Sequence, residues 1–226
     1  MTQAPSLDIS VVLADDHQLM REGLRRLLES TPGMHVAGEA ATGHEALELL
    51  RRLAVDVAVL DLSMPGMSGM DLIRRVKTEF PHVAVLVLTM HAEEQYAMRA
   101  FRCGASAYLT KDSAGGELVQ AIRKVAGGGG YVTASLAERL AMGLSTLREA
   151  PRHASLSDRE FEVFRRIVCG QRLTDIADAL HLSIKTVSTH KARVLEKMGL
   201  DSTAALIRYG LEHRLFEDAT GMRGAG

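Results

Sequence analysis

The sequence predicts an α/β domain built on an open sheet of five parallel strands, followed by a small all-α domain. Three observations carry that reading. Between Ile9 and Val125, short apolar runs alternate five times with stretches of helical periodicity, and such alternation implies crossover units and a parallel sheet. The run Val55 to Asp61 is β-branched and aliphatic until it stops at a carboxylate, the form of a buried strand delivering an acid to its C-terminal end. Beyond Pro151 the pattern changes to short helices separated by tight turns.

In chain order, Ile9 to Ala14 is the first strand and ends at Asp15-Asp16-His17. Leu19, Leu24, Leu27 and Leu28 then keep helical spacing as far as the Thr31-Pro32-Gly33 break. Met34 to Ala40 is the second strand and His44 to Leu53 the second helix. After the third strand, Val55 to Asp61, Pro65 and two glycines turn the chain, and Ser68 can cap a helix from Met70 to Phe80. Strands Val83 to Thr89 and Ala105 to Leu109, with helices Glu93 to Arg102 and Ala114 to Val125, complete a doubly wound, flavodoxin-like sheet of order 2-1-3-4-5. Gly127-Gly128-Gly129-Gly130 follows a helix and lacks the G-x-G-x-x-G spacing of a phosphate loop, so it reads as a helix stop and hinge. Ser135 to Leu144 reads as a connecting helix and Ser145 to Ser155 as a linker.

At 226 residues, with 46% hydrophobic and 24% charged, the chain suits two modest globular domains. No apolar run approaches the ~18 residues of a membrane helix. Met1 to Ser10 lacks a basic segment followed by an apolar core, so a cytoplasmic location is expected. Cys103 and Cys169 lie far apart without CxxC or Cys/His spacing, which argues against a disulfide framework or a zinc site. Residues 1–130 carry 13 Lys and Arg against 16 Asp and Glu, a net −3, whereas residues 151–226 carry 12 against 10, a net +2. This asymmetry only indicates where to look for nucleic-acid binding, because a solvated helix face carries similar charge.

On this scheme four strand ends contribute side chains to one edge of the sheet: Asp15 and Asp16 after the first strand, Asp61 at the third, Thr89 at the fourth and Lys111 after the fifth. Ligands of open α/β sheets bind at that edge. Crowded carboxylates repel and favour a hard divalent cation, and an open edge with few protein ligands suits Mg²⁺ better than a caged Ca²⁺. Asp61 would attack phosphorus while Lys111 and Thr89 hold the transferred oxygens, giving an aspartyl phosphate. Singly, an acid at a strand end is a turn former or cap, and a lysine is a solvated surface group. The joint placement is what points to a site.

D-D-H after the first strand, D-L-S-M-P-G-M-S-G from Asp61, Thr89, and Y-L-T-K-D around Lys111 resemble the receiver domain of bacterial two-component response regulators over about residues 8–127. The resemblance implies Asp61 as phosphoacceptor and metal ligand, Asp16 as a direct Mg²⁺ ligand, Asp15 assisting through water, and the Ser63 backbone carbonyl as a further ligand. It implies Thr89 and Lys111 as the phosphoryl-sensing pair and Tyr108 as a switch aromatic that turns inward on phosphorylation. Tyr108 also fits the plainer role of an aromatic packing a strand edge. Asp112-Ser113 after the lysine agrees with a branch of the family that lacks proline there.

The second domain is expected over about residues 155–220, with residues 128–154 as the join. Ser157 and Glu160 have capping-box spacing, with Leu156 as hydrophobic staple, and Gly170 ends the helix they start. Leu173 to Leu180, the turn His181-Leu182-Ser183 and Ile184 to Met198 then read as a helix-turn-helix. Helical spacing puts Val187, Val194, Leu195 and Met198 inward, with Lys191 near them. Lys185, Thr189, Ala192, Arg193 and Glu196 face outward, with Thr186 and Ser188 on the flanks. Such a face suits the major groove of promoter double-stranded DNA: Lys and Arg for phosphate or guanine, Thr and Ser for base edges, the Ala192 methyl for thymine. L-S-D-R-E-F-E-V-F with T-D-I-A-D-A-L-H-L-S-I-K-T-V-S-T-H-K-A-R-V-L-E-K-M resembles the LuxR-type helix-turn-helix, and the whole chain resembles a NarL/FixJ-type response regulator. Leu173-Thr174-Asp175 replaces the commoner N-K-E, and Ser188 a frequent lysine.

These resemblances imply a transcription regulator phosphorylated by a sensor histidine kinase. They imply homodimers when phosphorylated or DNA-bound, RNA polymerase as a further contact, and no enzymatic activity beyond Mg²⁺-dependent phosphorylation and dephosphorylation of the chain itself. An aspartyl-phosphate phosphatase usually carries a second Asp two residues on, where this chain has Ser63. The complete set Asp15, Asp16, Asp61, Thr89 and Lys111 argues against an idle receiver on a constitutive DNA-binding protein, and the acidic edge against an apolar ligand pocket.

Overall fold

Six parallel strands form the sheet of the first unit: Ile9–Ala14 (β1), Met34–Ala40 (β2), Val57–Leu60 (β3), Ala84–Thr89 (β4), Ala107–Thr110 (β5) and Tyr131–Val132 (β6), in the order 2-1-3-4-5-6. The computed structural model describes residues 8–65, 67–90, 94–138, 151–180, 182–213 and 215–216. The chain divides into two units, Met1–Ala141 and Met142–Gly226. Helices Gln18–Glu29 (α1), Gly43–Arg52 (α2), Gly69–Glu79 (α3), Glu94–Arg102 (α4) and Ala114–Ala126 (α5) alternate with the first five strands. Val11, Leu13, Val57, Val59, Leu86 and Leu88 share one core with Leu24 and Leu28 of α1 and with Leu118 and Ile122 of α5. The intervening Val12, Ala58, Leu60, Val85 and Val87 are equally buried, so both faces are covered, as a parallel sheet requires.

The sheet has one strand more than predicted. α5 ends at Gly127, and Gly128, with φ of 82°, adopts the left-handed backbone that returns the chain to the sheet. Tyr131 N–H then donates to the Ser106 carbonyl at 3.0 Å, and the Tyr131 hydroxyl donates to Glu117 Oε2 at 2.7 Å. The glycine run is thus a turn onto β6, and a two-residue strand is too short to show a periodicity. β3 starts two residues later than expected, at Val57; Asp56 leads into it, its N–H donating to the Ser10 carbonyl at 2.9 Å and its carboxylate accepting from Ser10 N–H at 2.8 Å. Ser68 occupies the N-cap position of α3 but makes no side-chain cap. What fixes that turn is Gly69, where a Cβ would lie 2.6 Å from Leu62 Cα. Of the connecting helix expected at 135–144, residues 134–138 are helical; residues 139–150 lie outside the described residues.

In the second unit a 3₁₀ turn, Arg152–Ser155, precedes helices Asp158–Val168 (α6), Leu173–Ala179 (α7), Ile184–Met198 (α8) and Thr203–Glu212 (α9). The capping box is present: Ser157 Oγ accepts from Glu160 N–H at 3.4 Å, and Glu160 Oε2 accepts from Ser157 N–H at 2.8 Å. Phe161, Phe164, Val187, Val194, Leu206 and Phe216 fill the core. Gly199, with φ of 60°, ends α8 in the left-handed conformation. Among the described residues no helix is long and apolar enough to cross a membrane.

Candidate acidic site and recognition helix

Strand register assembles the acidic site. Ala14 pairs with Leu60, Leu60 with Val87, and Thr89 with Thr110, so Asp15, Asp61, Thr89 and Lys111 all stand at the carboxyl edge of the sheet. Lys111 Nζ lies 2.7 Å from Asp15 Oδ2 and 2.8 Å from Asp61 Oδ2, and the three side chains are 3%, 4% and 1% exposed. Burial pushes the Asp61 carboxyl above its ordinary value, against the pull of Lys111. Burial alone would lower the Lys111 ammonium, but its bonds to Asp15 and Asp61 outweigh that and hold it charged. Asp61 Oδ1 accepts from Ser63 N–H at 3.1 Å. Thr89 and Tyr108 are fully buried.

Asp16, one residue beyond Asp15, is exposed. Ligand atoms of Asp15, Asp16, His17 and Asp61 lie within 4.8 Å of one another, an acidic pocket consistent with divalent metal binding. His17 is not among the residues selected from sequence, although the D-D-H triplet contains it. Its N–H donates to Asp15 Oδ1 at 2.8 Å, and its Nδ1 lies 2.8 Å from Asp16 Oδ1. A histidine following two acids carries no ligand signal of its own.

On α8, Lys185, Thr189, Ala192, Arg193 and Glu196 are exposed, Thr186, Ser188 and Leu195 half-buried, and Val187, Val194 and Met198 buried. Two hydroxyls on this helix are already engaged: Thr186 lies 2.8 Å from Ser183 Oγ, and Thr189 donates to the Lys185 carbonyl at 3.0 Å. Lys191 reaches Thr203 Oγ1 at 3.4 Å, away from the exposed face. Burial, with Arg159 and then Arg193 adding, holds the His190 pKa below its ordinary value, which keeps that ring neutral beside the cations. Of the predicted turn, His181 lies outside the described residues.

Residues 11–123 match the family model of the response regulator receiver domain, and residues 154–210 that of the LuxR family of bacterial regulatory proteins. The chain belongs to the response regulator family. Response regulator UvrY of Escherichia coli K12 is 36% identical over 208 residues, covering 92% of this chain and 95% of UvrY. Response regulator GacA of Pseudomonas aeruginosa is 34% identical over 213 residues, covering 94% of this chain and all of GacA. A solved structure of the RcsB response regulator from Salmonella typhimurium superposes with a TM-score of 0.68 at 30% identity, covering 89% of this chain and 96% of RcsB. RcsB bound to promoter P1flhDC in the presence of the phosphomimetic BeF₃⁻ gives 0.66 at 30% identity, covering 89% and 98%. This response regulator joins a receiver to a LuxR-type DNA-binding domain and is a phosphorylation-dependent regulator of transcription rather than a classical enzyme.

Proposed function

We propose that Asp61 accepts a phosphoryl group from the phosphohistidine of a sensor histidine kinase, and that the charge placed there governs dimerisation and promoter binding. The buried Asp15–Lys111–Asp61 cluster at the carboxyl edge of the sheet carries this reading. Asp15, Asp16, Asp61 and the Ser63 carbonyl make an all-oxygen donor set that suits Mg²⁺, and these residues would hold it. When bound, the ion supplies neutralisation of charge on the phosphoryl oxygens. An Asp61 carboxylate oxygen attacks phosphorus as the histidine N–P bond breaks, and the imidazole leaves. Once Asp61 is phosphorylated to the acyl phosphate, its carboxylate charge no longer holds Lys111, whose ammonium keeps its bond to Asp15 Oδ2 and can turn to a phosphoryl oxygen, with the Thr89 hydroxyl as second sensor. Attack of water on phosphorus breaks the bond to the Asp61 oxygen, releases inorganic phosphate, returns the carboxylate and ends the signal. Tyr108, buried one strand away, is the proposed switch aromatic.

The receiver is assigned to residues 8–127, the join to 128–154 and the DNA-binding domain to 155–220, in a cytoplasmic protein. Lys185, Thr186, Ser188, Thr189, Ala192 and Arg193 are the DNA-contacting set, used by two copies on paired half-sites about one DNA turn apart. RNA polymerase is a further partner at the promoter. The test is intact mass after incubation with Mg²⁺ and acetyl phosphate, for wild type and Asp61→Asn, followed by promoter-DNA binding of both samples. One added phosphoryl group on wild type alone, with tighter DNA binding, is expected. Equal uptake at the same site by Asp61→Asn removes the phosphoacceptor assignment.

A further inference from the structure

One residue outside the acidic cluster holds its backbone. Arg21, in the first turn of α1, is 16% exposed, and its Nη1 donates to the Asp15 backbone carbonyl at 2.5 Å. Its Nε lies 3.5 Å from Glu39 Oε2 on β2, while Arg25 Nε lies 3.1 Å from the other oxygen of Glu39. Asp15 N–H donates to the Ala40 carbonyl at 3.1 Å, beside the same glutamate. Asp15 is thereby tied through all its polar groups: the N–H by Ala40, Oδ1 by His17, Oδ2 by Lys111 and the carbonyl by Arg21. Asp16 is exposed, and its carboxylate meets His17 Nδ1. The Asp15 carbonyl and the Asp16 N–H belong to one planar peptide, so fixing the carbonyl fixes the direction in which Asp16 leaves.

We propose that Arg21 is a positioning residue, braced on Glu39, that orients the Asp15–Asp16 peptide so that the Asp16 carboxylate is presented to the cation. This rests on the acidic cluster binding Mg²⁺. The guanidinium has two effects of opposite sign. As a charge it repels an incoming cation, so its removal would tighten Mg²⁺ binding. As a clamp it arranges a ligand, and loss of such support costs about 10–100-fold in metal affinity.

The experiment is an Mg²⁺ titration of the full chain followed by amide NMR shifts, with thermal melting alongside, for wild type, Arg21→Met, Arg21→Lys and Asp16→Asn, and for the Asp16→Asn, Arg21→Met pair. Arg21→Met and Arg21→Lys should each weaken Mg²⁺ about tenfold. In the Asp16→Asn background Arg21→Met should change affinity less than about twofold, because the carboxylate it orients is gone. Unchanged or tighter Mg²⁺ binding by folded Arg21→Met overturns the proposal, as does an undiminished loss in the Asp16→Asn background. Should Arg21→Met fail to fold, Arg21→Lys decides alone: it keeps the charge, and wild-type affinity there also overturns the proposal. Wild type that shows no saturable Mg²⁺ shifts would instead sink the metal reading beneath it.

Discussion

The sheet edge of the receiver and the exposed face of α8 both gather charge, but under opposite conditions. At the sheet edge Lys111, Asp15 and Asp61 are buried and hold one another at 2.7 and 2.8 Å. On α8, Lys185 and Arg193 are exposed, and the hydroxyls of Thr186 and Thr189 are spent within the helix. Burial makes each charge in the first region depend on the others, since low local dielectric strengthens a pair and penalises a remnant. Exposure makes the charges of the second nearly independent of the fold and available to a polyanion, with salt as the competitor. On the proposed reading, the first region converts a covalent change at a single oxygen into altered packing. On the same reading, the second meets its partner without being altered much itself.

The largest effect that tests this contrast comes from Lys111→Met. It leaves two buried carboxylates without their cation, so in metal-free buffer receiver stability should fall by about 3–5 kcal/mol in urea denaturation, with Mg²⁺ restoring part of the loss. A loss below about 1 kcal/mol without metal would show that the three groups are not electrostatically interdependent. Arg193→Ala is the counterpart on α8. Its effect on stability should stay within about 0.5 kcal/mol. Promoter-DNA affinity should fall by about 1–3 kcal/mol if Arg193 meets a guanine, with specificity relaxed at one base pair, or the salt slope should drop by about 1 if it meets a phosphate. Binding titrations at several salt concentrations separate the two, and unchanged affinity removes Arg193 from the DNA-contacting face.

The same contrast explains what could be read in advance. An apolar run that stops at an acid is a local pattern, so the strand ends that carry Asp15, Asp61, Thr89 and Lys111 were legible, as was the buried side of α8, where Val187, Val194 and Met198 recur at helical spacing. β6 was not, because two residues paired to Ala107–Tyr108 have no period, and the glycines before them read as a helix stop and hinge. The helix-capping role given to Ser68 came from residue type; the structure instead uses the missing side chain of Gly69. Arg21 bonds a backbone carbonyl six residues earlier, and Thr189 one four residues earlier. The Thr189 bond is the local back-bond open to any threonine inside a helix, whereas the Arg21 bond depends on where the loop after β1 places the Asp15 carbonyl, which no spacing of residue types shows.

Glu160 lies between the two extremes, which makes the expected effect the smallest and its pH dependence the most informative. The side chain is 5% exposed and caps α6, while its partner Lys197, near the end of α8, is 41% exposed at 2.6 Å. Burial pushes the Glu160 carboxyl up, but the bonds from Lys197 and Ser157 outweigh it and leave the pKa below its ordinary value. A carboxyl lowered in the folded state adds stability above the ordinary glutamate range and loses it as pH falls through the lowered value. Glu160→Gln keeps an S-x-x-Q cap and removes only the charge. At pH 7 it should cost about 1 kcal/mol, since half the pair is solvated, and less in high salt. Thermal melting from pH 7 downward should show the two proteins converge below the glutamate range. A gap that persists in acid would assign the loss to packing or cap geometry, and would place Glu160 with the buried cluster of the receiver rather than with the screened charges of α8.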